Sequence, residues 1–151
     1  MSSKNPSETA AAWLDRLQSS GYRLTGSLRA VVQVVAEHPY ALDPTQIFIF
    51  ARQAAPHLGL VTVYRTLEKL EEIGLVQRVH QPDGCHAYVA AAGGHQHLLI
   101  CRRCSRAEYF SGDDLSSLFV KVGRERGFLI QDHWLQLYGL CSRCQAEGAG
   151  G

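Results

Sequence analysis

The sequence predicts an α+β chain in two units, and three observations lead there. Helical apolar periodicity with start and stop signals runs to Gly74, strict alternation replaces it afterwards, and a small-residue run, AAAGG at 90–94, separates two cysteine pairs from what precedes them. At 151 residues, 46% apolar and 19% charged, the chain can bury a modest core in each unit and is not composed like a disordered one. No apolar run approaches the roughly 20 residues of a membrane span. The opening MSSKNPSETAAAW lacks the regions of a secretory signal, so a cytosolic location and no membrane partner are the default expectation. Residues 1–80 carry eight Lys or Arg against seven Asp or Glu, and residues 81–151 carry seven of each. Such a balance neither demands nor excludes nucleic acid, because only a local basic face matters for phosphate contact.

Each element has its own signal. TAAAWLDRLQSSG is amphipathic and stops at Gly21, and SLRAVVQVVAEHP starts from Ser27 as N-cap and stops before Pro39. DPTQIFIFARQAAP starts from Asp43 with Pro44 at the first helical position, where a missing N–H costs nothing. GLVTVYRTLEKLEEIG sets Leu60, Val63, Leu67 and Leu70 on a packing face and Thr62, Arg65, Thr66 and Lys69 on the other. LVQRVH and CHAYVA alternate around the turn signal PDG, so helices closed by a hairpin predict a winged helix. Beyond the small-residue run, HQHLLI and RAEYF read as strands. DDLSSLFVKVGRERG reads as a helix with Asp113 or Asp114 near its N-terminus, and FLIQDHWLQLYGL as a long alternating strand. The expected layout is residues 1–89, a hinge at 90–94, a small α+β unit at 95–145 and a low-complexity tail at 146–151.

Five cysteines in a reducing compartment argue for metal ligation or thiol chemistry over a disulfide framework. Cys101 and Cys104 are followed, after 36 intervening residues, by Cys141 and Cys144. Each C-x-x-C lets one turn present two sulfurs to one ion, and four thiolates are what a structural zinc requires. Two separate redox dithiols or buried free thiols are the alternatives, although the βαβ pattern that usually carries a redox C-x-x-C is absent. Cys85 is the odd one, readable as a ligand, a redox handle or an idle small apolar residue.

His95 and His97 alternate along a strand and so share a face, leaving a divalent ion one or two ligands short. His133 on the long strand, Glu108 on the intervening one, and Cys85 and His86 in the hairpin are the candidates to complete a regulatory site. The plain alternative makes each a solvated or hydrogen-bonded residue. A small metalloenzyme is a further reading, but the chain holds no H-E-x-x-H, no G-x-S-x-G and no Gly-rich phosphate loop.

GLVTVYRTLEKLEEIGLV, HQHLLICRRC and QDHWLQLYGLCSRC, in this order and at these separations, resemble the ferric uptake regulator family of metal-dependent bacterial repressors. The resemblance covers nearly all of residues 8–145. It implies an N-terminal winged-helix DNA-binding domain, a C-terminal α/β dimerisation domain, a homodimer, and DNA binding switched on by metal. It makes Thr62, Tyr64 and Arg65 of TVYR contacts of a recognition helix, brings Arg23 of GYRLTGSLR towards the DNA, and makes Cys101, Cys104, Cys141 and Cys144 ligands of a structural Zn2+. Tyr64 is alternatively an aromatic at the core edge.

The regulatory site departs from the family pattern. Histidines three and five residues before the first paired cysteine would stand at Leu98 and Gln96, whereas His95 and His97 stand six and four before Cys101. With His133, eight before Cys141, they resemble the family's metal site inside the dimerisation domain, where the usual acid is replaced by Ser116 and Asp113, Asp114 or Glu108 are the substitutes. Alternatively a one-residue slip lets the same histidines serve a hinge site with Cys85, His80 or His86. A thiolate with imidazoles suits zinc better than iron(II), which points to the zinc uptake regulator branch. Iron, nickel, manganese and peroxide sensing share the scaffold. The resulting expectation is a homodimeric repressor that binds palindromic double-stranded operator DNA when loaded with a regulatory divalent metal, Zn2+ first and Fe2+ as the alternative, and controls metal-uptake genes. The competing classes are a zinc storage or structural protein and a metalloenzyme.

Overall fold

The computed structural model describes residues 6–112 and 115–148, and the chain divides into two compact units, one ending at Ala91 and the other beginning at Ala92. In the first unit, helix α1 (Pro6–Ser19) buries Ala10, Trp13 and Leu17, one face at steps of three and four. It ends where Gly21 takes a left-handed φ of 86° and Tyr22 N–H reaches back to the Leu17 carbonyl at 3.0 Å, satisfying a carbonyl the helix leaves open.

Helix α2 (Gly26–Glu37) starts two residues earlier than the sequence signal suggested. Thr25, extended at φ −87° and ψ 162°, is the N-cap, and its hydroxyl accepts the Leu28 N–H at 3.2 Å. Ser27 sits inside the first turn, where a hydroxyl has no equivalent role. Helix α3 (Pro44–Ala51) begins as expected. Asp43 accepts the Gln46 N–H at 2.9 Å, Gln46 returns the bond to the Asp43 N–H at 3.0 Å, and Pro44 opens the helix.

Helix α4 (Leu60–Glu72) seats Val63, Leu67 and Leu70, all fully buried, in one core with Leu28, Val31, Val35 and Ile47. Two positions on α4 differ from the sequence reading. Leu60 opens the helix and is exposed, because the first turn projects past the core. Thr66, expected on the free face, is buried, and its hydroxyl donates to the Thr62 carbonyl at 2.8 Å, the local bond that lets a threonine enter a helix interior. Leu67→Ala is expected to lower stability by about 2–5 kcal/mol, read as a shifted denaturation midpoint at unchanged slope.

Strands β1 (Val76–His80) and β2 (His86–Ala90) form the antiparallel hairpin, with His80 opposite His86 and Gly84 at φ 82° in the turn. Leu42 bridges Tyr88 through paired backbone bonds of 2.8 and 3.0 Å, which ties the α2–α3 connection to the wing.

In the second unit, β3 (His97–Cys101) is central. It pairs antiparallel with β4 (Ala107–Phe110) and parallel with β5 (Gln136–Gly139). Helices α5 (Ser116–Arg126) and α6 (Ser142–Gly148) complete it. The sequence expects a strand from Phe128 to Leu140, but regular pairing is confined to β5. In the preceding segment Leu135 O accepts from Leu98 N–H at 3.2 Å and Phe128 N–H donates to Gly123 O at 2.8 Å. Phe128 and Leu129 are 74% and 86% exposed, so apolar alternation there does not mark a buried strand. The expected positions of Asp113 and Asp114 lie outside the described residues. Among the described residues no helix is long and apolar enough to cross a membrane.

Candidate metal centres and nucleic-acid face

Parallel pairing of β3 with β5 sets Cys101 opposite Gly139, so the two C-x-x-C turns leave the same end of adjacent strands. Cys104 follows on the turn after β3, Cys141 follows β5, and Cys144 lies in α6. All four sulfurs lie within 4.8 Å of one another. The Cys104 and Cys141 sulfurs are 3.8 Å apart. That is the edge of a tetrahedron about an ion at ~2.3 Å from each sulfur, the Zn–S distance.

The Cys141 N–H donates to Cys101 Sγ at 3.4 Å, and such backbone donors hold the Cys101 thiol down at about 6. The Arg106 backbone N–H lowers Cys104, whereas burial pushes Cys144 up. Neutral at one corner and thiolate-prone at another, the quartet needs a cation to be deprotonated throughout.

The second cluster joins His95, His97 and His133, whose ligand nitrogens also fall within 4.8 Å. His95 stands in the bend before β3 rather than on the strand, yet its ring lies 5.1 Å from that of His97 and 4.5 Å from that of His133. His97 is 3% exposed; burial first, then the neighbouring His95 and His133, lower its pKa. It therefore stays neutral, and able to act as a ligand, to lower pH than an ordinary histidine. Nε2 of His133 is buried with no hydrogen-bond partner among the described residues, an orphan that a metal ion would satisfy. The Phe119 ring lies tilted 4.3 Å from the His133 ring and Phe110 lies 5.5 Å from that of His97, giving the cluster an aromatic wall. Phe119 gave no sequence signal, since its role depends on where α5 folds back.

The other candidates are placed elsewhere. Glu108 is exposed on β4, opposite Leu99, and pairs with Arg106 at 2.7 Å. Cys85, His80 and His86 belong to the first unit. The two histidine rings meet edge-on at 4.9 Å across the hairpin, while the exposed Cys85 forms no three-ligand group with them. Ser116 opens α5. On α4, Tyr64 is 46% exposed, Arg65 is exposed and Thr62 half-buried, with exposed Val61 alongside. Arg23 is exposed in the turn before α2. The chain thus carries a four-sulfur cluster, a three-imidazole cluster, and a helix face offering a guanidinium, a phenol and a methyl to a groove.

The ferric uptake regulator family model matches residues 19–138. The chain belongs to that family. The ferric uptake regulation protein of Bacillus subtilis is 34% identical over 137 residues, 87% of this chain and 91% of the relative. That of Neisseria gonorrhoeae is 30% identical over 134 residues, 88% and 93% of the two chains. A zinc uptake regulator complexed with zinc and DNA superposes with a TM-score of 0.75 at 22% identity, covering 97% of this chain and 99% of that one, which shows the shared fold. As a member of the ferric uptake regulator family, this protein is a metal-responsive, DNA-binding transcriptional regulator and not an enzyme. The winged helix and the four-cysteine α+β unit are the family's fold.

Proposed function

We propose that this ferric uptake regulator relative is a zinc-responsive repressor that works as a homodimer on palindromic operator DNA in control of metal uptake. The observation that carries the reading is the separation of two clusters of different chemistry. Four thiols surround one point, and three imidazoles surround another beside a buried, unpartnered His133 nitrogen. A four-thiolate site leaves no open position and holds a structural Zn2+ through Cys101, Cys104, Cys141 and Cys144. A set of imidazoles, with Glu108 held by Arg106, favours zinc over the harder ions that seek carboxylates. The regulatory ligands in this reading are His95, His97 and His133. Thr62, Tyr64 and Arg65 face the major groove and Arg23 approaches the minor groove.

Homodimer formation is supported by what the second unit leaves uncovered. Leu118, Val120 and Val122 of α5 are exposed, and so are Phe128 and Leu129. Among the described residues no strand or other helix of the unit packs closely on α5. An apolar helix face beside the exposed Phe128 and Leu129 is covered by the same surface of a second copy.

The test is operator binding across buffered free zinc and iron(II), using protein whose cysteine site stays zinc-filled. Zinc-dependent binding, lost in His97→Ala, is the expected result. Binding that ignores both metals sinks the sensor. Binding that follows iron(II), as the names of the relatives would suggest, sinks the zinc assignment.

A further inference from the structure

We propose that Gly112 is a positioning residue of the histidine cluster: its bare backbone lies against one edge of the His97 ring and fixes how that imidazole meets His95 and His133. The inference rests on the reading that these three histidines hold a metal. Gly112 is not among the glycines with positive φ, so backbone conformation does not require glycine there. Space does. A Cβ at position 112 would stand 2.7 Å from His97 Nε2 and nearer still to Cδ2, closer than real side-chain carbons come to a ring. A Cβ at Gly93 or Gly94, on the other side of the histidines in sequence, would meet nothing within 4 Å.

The His97 ring has little room to retreat. It is 3% exposed, with Phe110 at 5.5 Å, His95 at 5.1 Å and His133 at 5.4 Å between centroids. A methyl group at 112 must therefore turn the ring or push the chain after β4 outward. Ligand imidazoles tolerate only about 10–20° of misdirection, and the groups packed against the ring set its aim. Gly112 supplies that touch with backbone alone, acting through His97 rather than on the metal.

The experiment titrates cobalt(II) into the whole chain with zinc in the cysteine site and the histidine site stripped, and follows its visible absorption, with Gly112→Ala, Ser111→Ala and His97→Ala beside the parent. Gly112→Ala should bind cobalt at least about tenfold more weakly, with a displaced absorption band, while Ser111→Ala matches the parent and tightly held zinc is unchanged in all. A parent-like affinity and spectrum in Gly112→Ala overturns this inference alone. A parent whose cobalt spectrum does not depend on His97 overturns the site reading and the inference with it. Thermal midpoints guard against a simple folding defect. The cost of Gly112→Ala should shrink in a His97→Ala background, where the ring is gone, and an equal cost with and without the ring overturns the proposed contact.

Discussion

Cys141→Ser is expected to leave a chain whose residues from Ala92 onward no longer fold, while residues up to Ala91 keep their helices. Among the described residues of the second unit, the buried hydrophobic side chains are Leu98, Ile100, Cys101 and Cys144, so half of that short set are thiols of the four-cysteine cluster. Burying one Leu and one Ile contributes about 1.5–3 kcal/mol each. Fixing the backbone costs about 1–2 kcal/mol per residue over the whole segment. A zinc ion held by four thiolates contributes roughly 10–16 kcal/mol in peptide systems, and losing one ligand removes most of it. The measurements are zinc per chain, which should fall by about one equivalent, and limited proteolysis, which should clear the second unit and spare the first. Unchanged zinc content with an unchanged melting profile sinks the staple.

Arg65→Ala is expected to weaken operator binding about ten- to a hundredfold, the loss of ~1–3 kcal/mol that one well-placed Arg provides. Arg65 and Tyr64 project from the exposed face of α4, opposite the fully buried Val63, Leu67 and Leu70, so truncating them should cost little folding stability. The form of the loss separates two roles. A phosphate contact weakens all sequences alike and reduces the salt dependence by about one ion. A base contact relaxes preference at one position of the site. Fluorescence anisotropy on operator and scrambled duplexes at several salt concentrations distinguishes them. An Arg65→Ala chain that binds like the parent removes α4 from the interface.

The parts of this architecture legible in the sequence are those governed by local chemistry. Asp43, Pro44 and Gln46 announce the start of α3 because all three groups involved lie within one turn. The hairpin is legible because alternation on both sides of PDG needs no distant partner. The gathering of the cysteine quartet is legible from spacing, since two C-x-x-C pairs are what a shared ion requires. What was not legible depends on contacts made elsewhere. Two hydroxyls compete to cap α2, and the backbone at Thr25 decides it. Thr66 looked free because its bond to the Thr62 carbonyl cannot be read from hydropathy. The strand expected from Phe128 is confined to Gln136–Gly139, because alternation reads a segment's own residues and not whether a neighbour pairs with it. Gly112 gave no signal at all, since a missing Cβ matters only once His97 lies beside it.

The parallel register of β3 and β5 also sets an order of events. The strands that bring Cys101 and Cys141 together are joined by more than thirty residues, and such non-local pairing forms slowly because its loop must close before any contact rewards it. An ion caught first by Cys101 and Cys104 would wait for the distant pair to arrive. Until then the newly made chain presents an unfinished second unit to proteases. The supply of an ion to the four sulfurs would therefore act as a maturation step on the regulator, setting how much of it survives.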